Sequence, residues 1–210
     1  MPADISSAAF FLVAASICPG ADLLLGIGSD ELINLLCVAT ARPGATVLAP
    51  WPSFVMYDIA ARLAGSRFVG VPLKPDFSLD LPATLAAIER ERPALVFIAW
   101  PNNPTGNFLP YPEVRAFLEA VPQDVVVVLD EAYNEYLPPA ERVDTAAWIA
   151  DFPNLVVTRS FSKIFGLAGL RVGYALASAE IADLMNRVRQ PFNVNNLAIA
   201  AAIAALLSLI

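Results

Sequence analysis

Lys163 stands in the run Ser160-Phe161-Ser162-Lys163 and, with Lys74, is one of only two lysines among 13 basic residues. A chain that meets its surface charge with arginine makes the setting of a lysine informative. Its amine is a nucleophile toward carbonyl groups once it loses its proton. Eight residues on stands Arg171, whose planar fork suits an anion. Upstream lie Asp130-Glu131-Ala132-Tyr133, a carboxylate with a phenol, and Asn102-Asn103-Pro104-Thr105-Gly106, amides in a turn sequence. Gly26-Ile27-Gly28-Ser29-Asp30 precedes a helical stretch, and a helix start offers free amides to an anion. Each piece alone has an ordinary structural role. Asn103-Pro104-Thr105-Gly106 is a common turn, Asp130 can cap the next segment, and a lone lysine is usually a solvated charge. Their joint occurrence, in this order, is what points to chemistry.

The elements that would position these groups are short apolar runs alternating with amphipathic stretches. Strands are expected at 22–25, 46–49, 67–71, 95–99, 125–129, 155–158 and 171–176. Several are apolar throughout, as strands covered on both faces must be. Helices are expected at 31–41, behind Ser29-Asp30, and at 53–63, 80–90, 113–121, 144–150, 180–189 and 195–210. This alternation predicts an α/β domain of three layers, α/β/α, with a mostly parallel sheet of about seven strands. Ligands of such sheets bind beyond the carboxyl ends of the strands. The amide, carboxylate, phenol, amine and guanidinium above all follow predicted strands.

Composition narrows the chemistry further. The chain is 57% hydrophobic and 16% charged, which suits a well-covered core. A net charge of −7 and the lack of a basic stripe argue against a nucleic-acid surface. Histidine is absent, which removes any mechanism built on a histidine base and the usual histidine-containing zinc sites, so no metal is expected. Cys18 and Cys37 sit in apolar runs and read as buried thiols, and a cytoplasmic location fits them. The apolar stretch 8–18 is too short to span a bilayer and has no positive flank, so it reads as a packed segment, with no membrane association. A dinucleotide-binding reading fails because Gly26-x-Gly28 lacks its third glycine and no strand-end acid follows at the expected distance.

Asn102-Asn103-Pro104-Thr105-Gly106, Asp130-Glu131-Ala132-Tyr133 and Ser160-x-Ser162-Lys163, with Arg171, resemble the class I/II aminotransferases of pyridoxal 5′-phosphate fold type I. Within that family the chain is most similar to the histidinol-phosphate aminotransferases. The motifs concerned are Gly28-Ser29-Asp30-Glu31, Gly166-Leu167-Ala168-Gly169-Leu170-Arg171 and Arg189-Gln190-Pro191-Phe192-Asn193-Val194-Asn195. The likeness spans roughly residues 20 to 200.

The resemblance implies roles. Lys163 would hold the cofactor as a Schiff base and later move a proton at the substrate α-carbon. Asp130 would keep the pyridine nitrogen protonated, so that the ring can draw off negative charge. Tyr133 and Asn103 would donate to the cofactor's phenolic oxygen. Phe54 would stack on the ring, with plain core packing as its alternative. Ser29, Asp30, Ser160, Ser162 and Arg171 would hold the phosphate.

The resemblance also implies what to expect of the whole. Residues 1–21 are an atypical N-terminal segment and 22–210 a cofactor-binding large domain. The family's N-terminal arm and C-terminal small domain, with its carboxylate-gripping arginine, are expected to be missing. The expected reaction moves an amino group from glutamate to imidazole-acetol phosphate, in histidine biosynthesis, in a homodimer acting on small, phosphorylated amino-acid and keto-acid substrates. Alternatives are a threonine-phosphate decarboxylase, another class I/II aminotransferase, or an inactive fragment that at most binds cofactor.

Overall fold

The computed structural model describes residues 21–40, 42 and 44–207. The expectations for residues 1–20, including Cys18 and the packed stretch 8–18, lie outside the described residues, as do the last positions of the helices expected at 31–41 and 195–210.

Seven strands form one sheet: β1 (Asp22–Gly26), β2 (Thr46–Trp51), β3 (Arg67–Pro72), β4 (Leu95–Ala99), β5 (Val126–Asp130), β6 (Leu155–Ser160) and β7 (Gly173–Ala177). Their order is β1-β7-β6-β5-β4-β2-β3, and only β7 runs against its neighbours. The helices are α1 (Gly28–Thr40), α2 (Met56–Leu63), α3 (Leu81–Glu91), α4 (Tyr111–Ala120), α5 (Ala179–Val188) and α6 (Asn196–Leu207).

Alternation along the strands explains the three layers, because successive side chains point to opposite faces. Leu24, Val47, Phe97, Val128, Val156 and Ala175 pack under α1, α2 and α5, against Leu32, Leu36, Tyr57, Ala61 and Met185. Leu25, Leu48, Val96, Ile98, Val127, Leu129 and Val157 face the other way, onto Ile88 of α3, Val114 and Phe117 of α4, and Ala198 of α6.

Several boundaries differ from expectation. Helix α1 begins at Gly28, so Ser29 and Asp30 lie in its first turn instead of capping it. The Glu31 carboxylate reaches back to accept from the Ile27 amide at 2.7 Å, which satisfies a donor at the helix start. Helix α2 begins at Met56, after an irregular stretch at 52–55. The segment Thr145–Ala150 is a 3-10 helix. Strand β7 starts two residues late, because Arg171 takes a left-handed backbone (φ 55) that no strand accepts.

The same alternation splits neighbours at the end of β5. Asp130 falls on the α1–α2 face and Glu131 on the other. Glu131 is fully buried and receives the Arg159 guanidinium at 2.8 Å and the Thr145 hydroxyl at 2.5 Å. Burial alone would favour loss of the Arg159 charge, but Glu131 and the Tyr174 phenol outweigh it and hold the proton more firmly than usual. This pair pins the ends of β5 and β6 side by side. Glu131→Ala strands a mostly buried arginine, and the expected loss is about 3–5 kcal/mol of unfolding free energy. Urea denaturation measures it, and an unchanged midpoint would show that the pair does not clamp the strands.

Candidate active site

The parallel run of the sheet brings the carboxyl ends of β1, β4, β5 and β6 to one edge, where β7 also begins. Gly173 lies opposite both Gly26 of β1 and Ser160 of β6, and Asp130 lies opposite Ala99 of β4. One cleft opens there. All ten residues singled out in the sequence line it: Ser29, Asp30, Phe54, Asn103, Asp130, Tyr133, Ser160, Ser162, Lys163 and Arg171. Tyr57, Ala99, Pro101 and Ala132 complete the lining.

One part of the cleft is built for an anion. Ser29 and Asp30 sit in the first turn of α1, where amides lack helical partners. The Ser160 hydroxyl accepts from the Ser162 amide at 3.1 Å, which fixes the turn leading to Lys163. The Arg171 guanidinium donates to the Asp30 carboxylate at 3.0 Å and to the Ser162 hydroxyl at 3.4 Å. Two glycines serve this turn for different reasons. Gly28 takes a left-handed backbone (φ 72), which favours glycine. At Gly173 a methyl would stand 2.8 Å from the Ser29 amide nitrogen, so backbone approaches backbone more closely than any side chain would permit.

Another part is acidic and buried. Asp130 is 5% exposed, and its carboxyl is held above the usual aspartate range by burial. Three donors oppose that rise: the Tyr57 hydroxyl at 2.7 Å, the Thr158 hydroxyl at 3.2 Å and the Ala132 amide at 3.3 Å. All three are neutral. A carboxylate walled in by neutral donors, on the surface of a cleft, is suited to a cationic group entering that cleft.

Lys163 is exposed at the rim, its Nζ 5.1 Å from the centre of the Tyr133 ring. Asn103 lines the cleft, while its neighbour Asn102 is buried and holds the turn. Asn102 accepts from the Ser53 hydroxyl at 2.8 Å and donates to the Pro52 carbonyl and the Thr105 hydroxyl. Phe54 packs edge-on against Tyr57, ring centres 5.7 Å apart, and keeps a half-buried face in the cleft.

Tyr57 and Asn102 were not singled out in the sequence. Asn102 carried a signal, since it lies within the turn motif. Tyr57 carried none beyond its place in an apolar helix, because its partner is 73 residues away. Cys37 is a buried thiol, pushed up to about 12 by burial, and plays no part in the cleft. Among the described residues no cluster of acids and cysteines could hold a metal ion.

Comparison with known proteins points to one family. Residues 7–208 match the family model for aminotransferase class I and II. A histidinol-phosphate aminotransferase of Dechloromonas aromatica is 64% identical over 184 residues, 88% of this chain and 50% of that protein. One from Chromobacterium violaceum is 52% identical over 199 residues, 95% of this chain and 52% of that protein. The chain thus spans about half the length of the curated relatives it matches. The crystal structure of histidinol-phosphate aminotransferase from Sinorhizobium meliloti, in complex with pyridoxal-5′-phosphate, superposes with a TM-score of 0.90 at 34% identity, covering 99% of this chain and 56% of that one. An L-threonine-O-3-phosphate decarboxylase from Porphyromonas gingivalis superposes with a TM-score of 0.81 at 27% identity, covering 95% and 61%. The chain belongs to the class I and II aminotransferase family.

Proposed function

We propose that this chain is the cofactor-binding part of a pyridoxal-phosphate-dependent histidinol-phosphate aminotransferase. The intact protein would pass the amino group of glutamate to imidazole-acetol phosphate in histidine biosynthesis. The observation that carries the reading is Asp130, a buried carboxylate on the cleft surface whose partners are all neutral. Pyridoxal phosphate fits such a site, since its ring nitrogen can bear a proton and its phosphate suits the amides and arginine around Ser29. When bound, it supplies an electron-accepting ring that stabilises negative charge at the substrate α-carbon.

The chain's own residues do the rest. Asp130 would pair with the ring nitrogen and favour its protonated form. Arg171, Ser160, Ser162 and the amides of Ser29 and Asp30 would hold the phosphate. Tyr133 and Asn103 would donate to the phenolic oxygen, and Phe54 would cover the ring. Lys163 Nζ, the one amine lining the cleft among the described residues, would hold the cofactor covalently and, when free, would carry a proton at the substrate α-carbon. The unit is residues 22–210, and we expect the intact enzyme to be a homodimer in the cytosol. Among the described residues no helix is long and apolar enough to cross a membrane.

The structural likeness to the threonine-phosphate decarboxylase supports a second reading with the same cofactor and another phosphorylated substrate. The two differ in product. The intact protein with histidinol phosphate is expected to convert its cofactor spectrum to the pyridoxamine form. Carbon dioxide release from threonine phosphate, without that conversion, would favour the decarboxylase.

The cofactor site is tested on this chain directly. Added pyridoxal phosphate is expected to give a protein-bound absorbance band that Lys163→Ala lacks, and the same band in both would defeat the assignment. Asp130 gives a further prediction. Its folded-state pKa is raised above the unfolded value, so the folded chain binds the proton more tightly. This group's contribution to stability therefore falls as pH rises from the ordinary value of 3.8 through the raised one. Asp130→Asn is expected to remove that fall and leave the cofactor-free fold at least as stable at neutral pH. Cofactor binding should weaken at least a hundredfold, in line with the roughly 3–5 kcal/mol lost when one partner of a buried pair is deleted. Urea unfolding across pH and cofactor titration read the two effects, and a destabilised variant that still bound cofactor tightly would contradict both.

A further inference from the structure

We infer that Tyr57 is a positioning residue for the cofactor: its phenol holds Asp130 as a carboxylate and so decides whether the proton between Asp130 and the ring nitrogen rests on the ring. This rests on the reading above that the cleft takes pyridoxal phosphate.

The geometry is restrictive. Tyr57 is fully buried on α2, its ring parallel to Phe97 with centres 4.5 Å apart and met edge-on by Phe54 at 5.7 Å. A ring gripped on a face and an edge can aim its hydroxyl in one direction. That direction is Asp130 Oδ2, at 2.7 Å. The other two donors are longer, at 3.2 and 3.3 Å, and both serve Oδ1. Strand alternation makes the contact possible, since Asp130 and Phe97 project toward the α2 face while Glu131 projects away. The phenol stays protonated at neutral pH, because burial and then the Asp130 charge push it well above its ordinary value. Other charged or titratable groups bear on Asp130 from neighbouring elements. Asp30 on α1 raises its proton affinity, and Tyr133, Lys163 and Arg171 line the same cleft. Of the groups that touch the carboxylate, Tyr57 is the nearest donor.

The proton balance follows. A hydrogen bond to the charged form lowers a carboxylate's affinity for protons. With Tyr57 in place the proton stays on the ring nitrogen, and the pair is a pyridinium facing a carboxylate. Without it the same proton moves to Asp130, leaving a neutral ring and a neutral acid at unchanged total charge. A neutral ring is the poorer electron acceptor.

Tyr57→Phe keeps the ring packing and removes only the donor, so a purely structural role predicts no electrostatic change. The first readout is the cofactor-free chain, with Asp130 followed by carboxyl ¹³C NMR and assigned through Asp130→Asn. The Asp130 midpoint is expected to rise by about one pH unit or more, the size of one lost hydrogen bond to a charged group. An unchanged midpoint overturns the inference whether or not the chain binds cofactor. The second readout is ¹⁵N-labelled pyridoxal phosphate, whose ring nitrogen is expected to move toward the neutral-pyridine shift in the variant. A shift equal to wild type overturns the inference even where the midpoint has moved. Should Tyr57→Phe fail to fold, the wild-type Tyr57 ring carbon bearing oxygen is expected to titrate with the Asp130 midpoint. A flat response there overturns it. Failure of the wild-type chain to form the Lys163-dependent band would instead defeat the reading of the cleft, and the Asp130 midpoint would still be decided.

Discussion

A carboxylate buried at the tip of a parallel strand is an energetic liability, and much of the surrounding structure exists to contain it. Asp130 could shed its charge by taking a proton, and burial pushes it that way. Three neutral donors from three different segments push back. Each depends on a larger feature. Thr158 faces Asp130 because β5 and β6 are parallel and in register. Tyr57 reaches it because α2 covers that face of the sheet. The Ala132 amide arrives because the chain turns at once after β5. The balance leaves a group poised to accept a cation, which is what a cofactor with a basic ring nitrogen offers.

Directly behind it, the Glu131–Arg159 pair does the mechanical work. Adjacent residues on one strand thus serve opposite faces, one toward the ligand and one toward the framework. A single-residue slip of β5 would exchange them, placing the paired acid in the cleft and Asp130 against an arginine. Register here is therefore a functional quantity as well as a structural one.

Much of this was legible in the sequence. The seven apolar runs correspond to the seven strands, and the central ones are apolar throughout because segments buried on both faces tolerate few polar residues, while the edge strand β3 is largely exposed. Most of the cleft residues stood out because they follow such a run and match a family motif, and parallel strands deliver their ends to one edge, whereas Phe54 stood out only through the resemblance. Local conformation was harder to read. Arg171 looked like the start of a strand, yet its left-handed backbone delays β7. Thr145–Ala150 has helical composition but closes as a tighter 3-10 turn over Glu131. Tyr57 was invisible for a different reason. Its role depends on a partner 73 residues away, and periodicity reports which face a residue occupies without naming what it meets there.

The position of β7 bears on how the chain acquires its shape. It lies between β1 and β6, and it pairs Asp22 with Ala177, 155 positions further along the chain. Strand β1 has no neighbour in the sheet until β7 arrives, so it must wait while almost everything between is made. Such distant pairing must close a long loop before its contacts form, which slows folding. Gly28 to Asp30 follow β1 directly, so the turn that carries Ser29 and Asp30 leans on a strand whose sheet neighbour is made much later. During synthesis β1 thus leaves the ribosome long before the strand it pairs with.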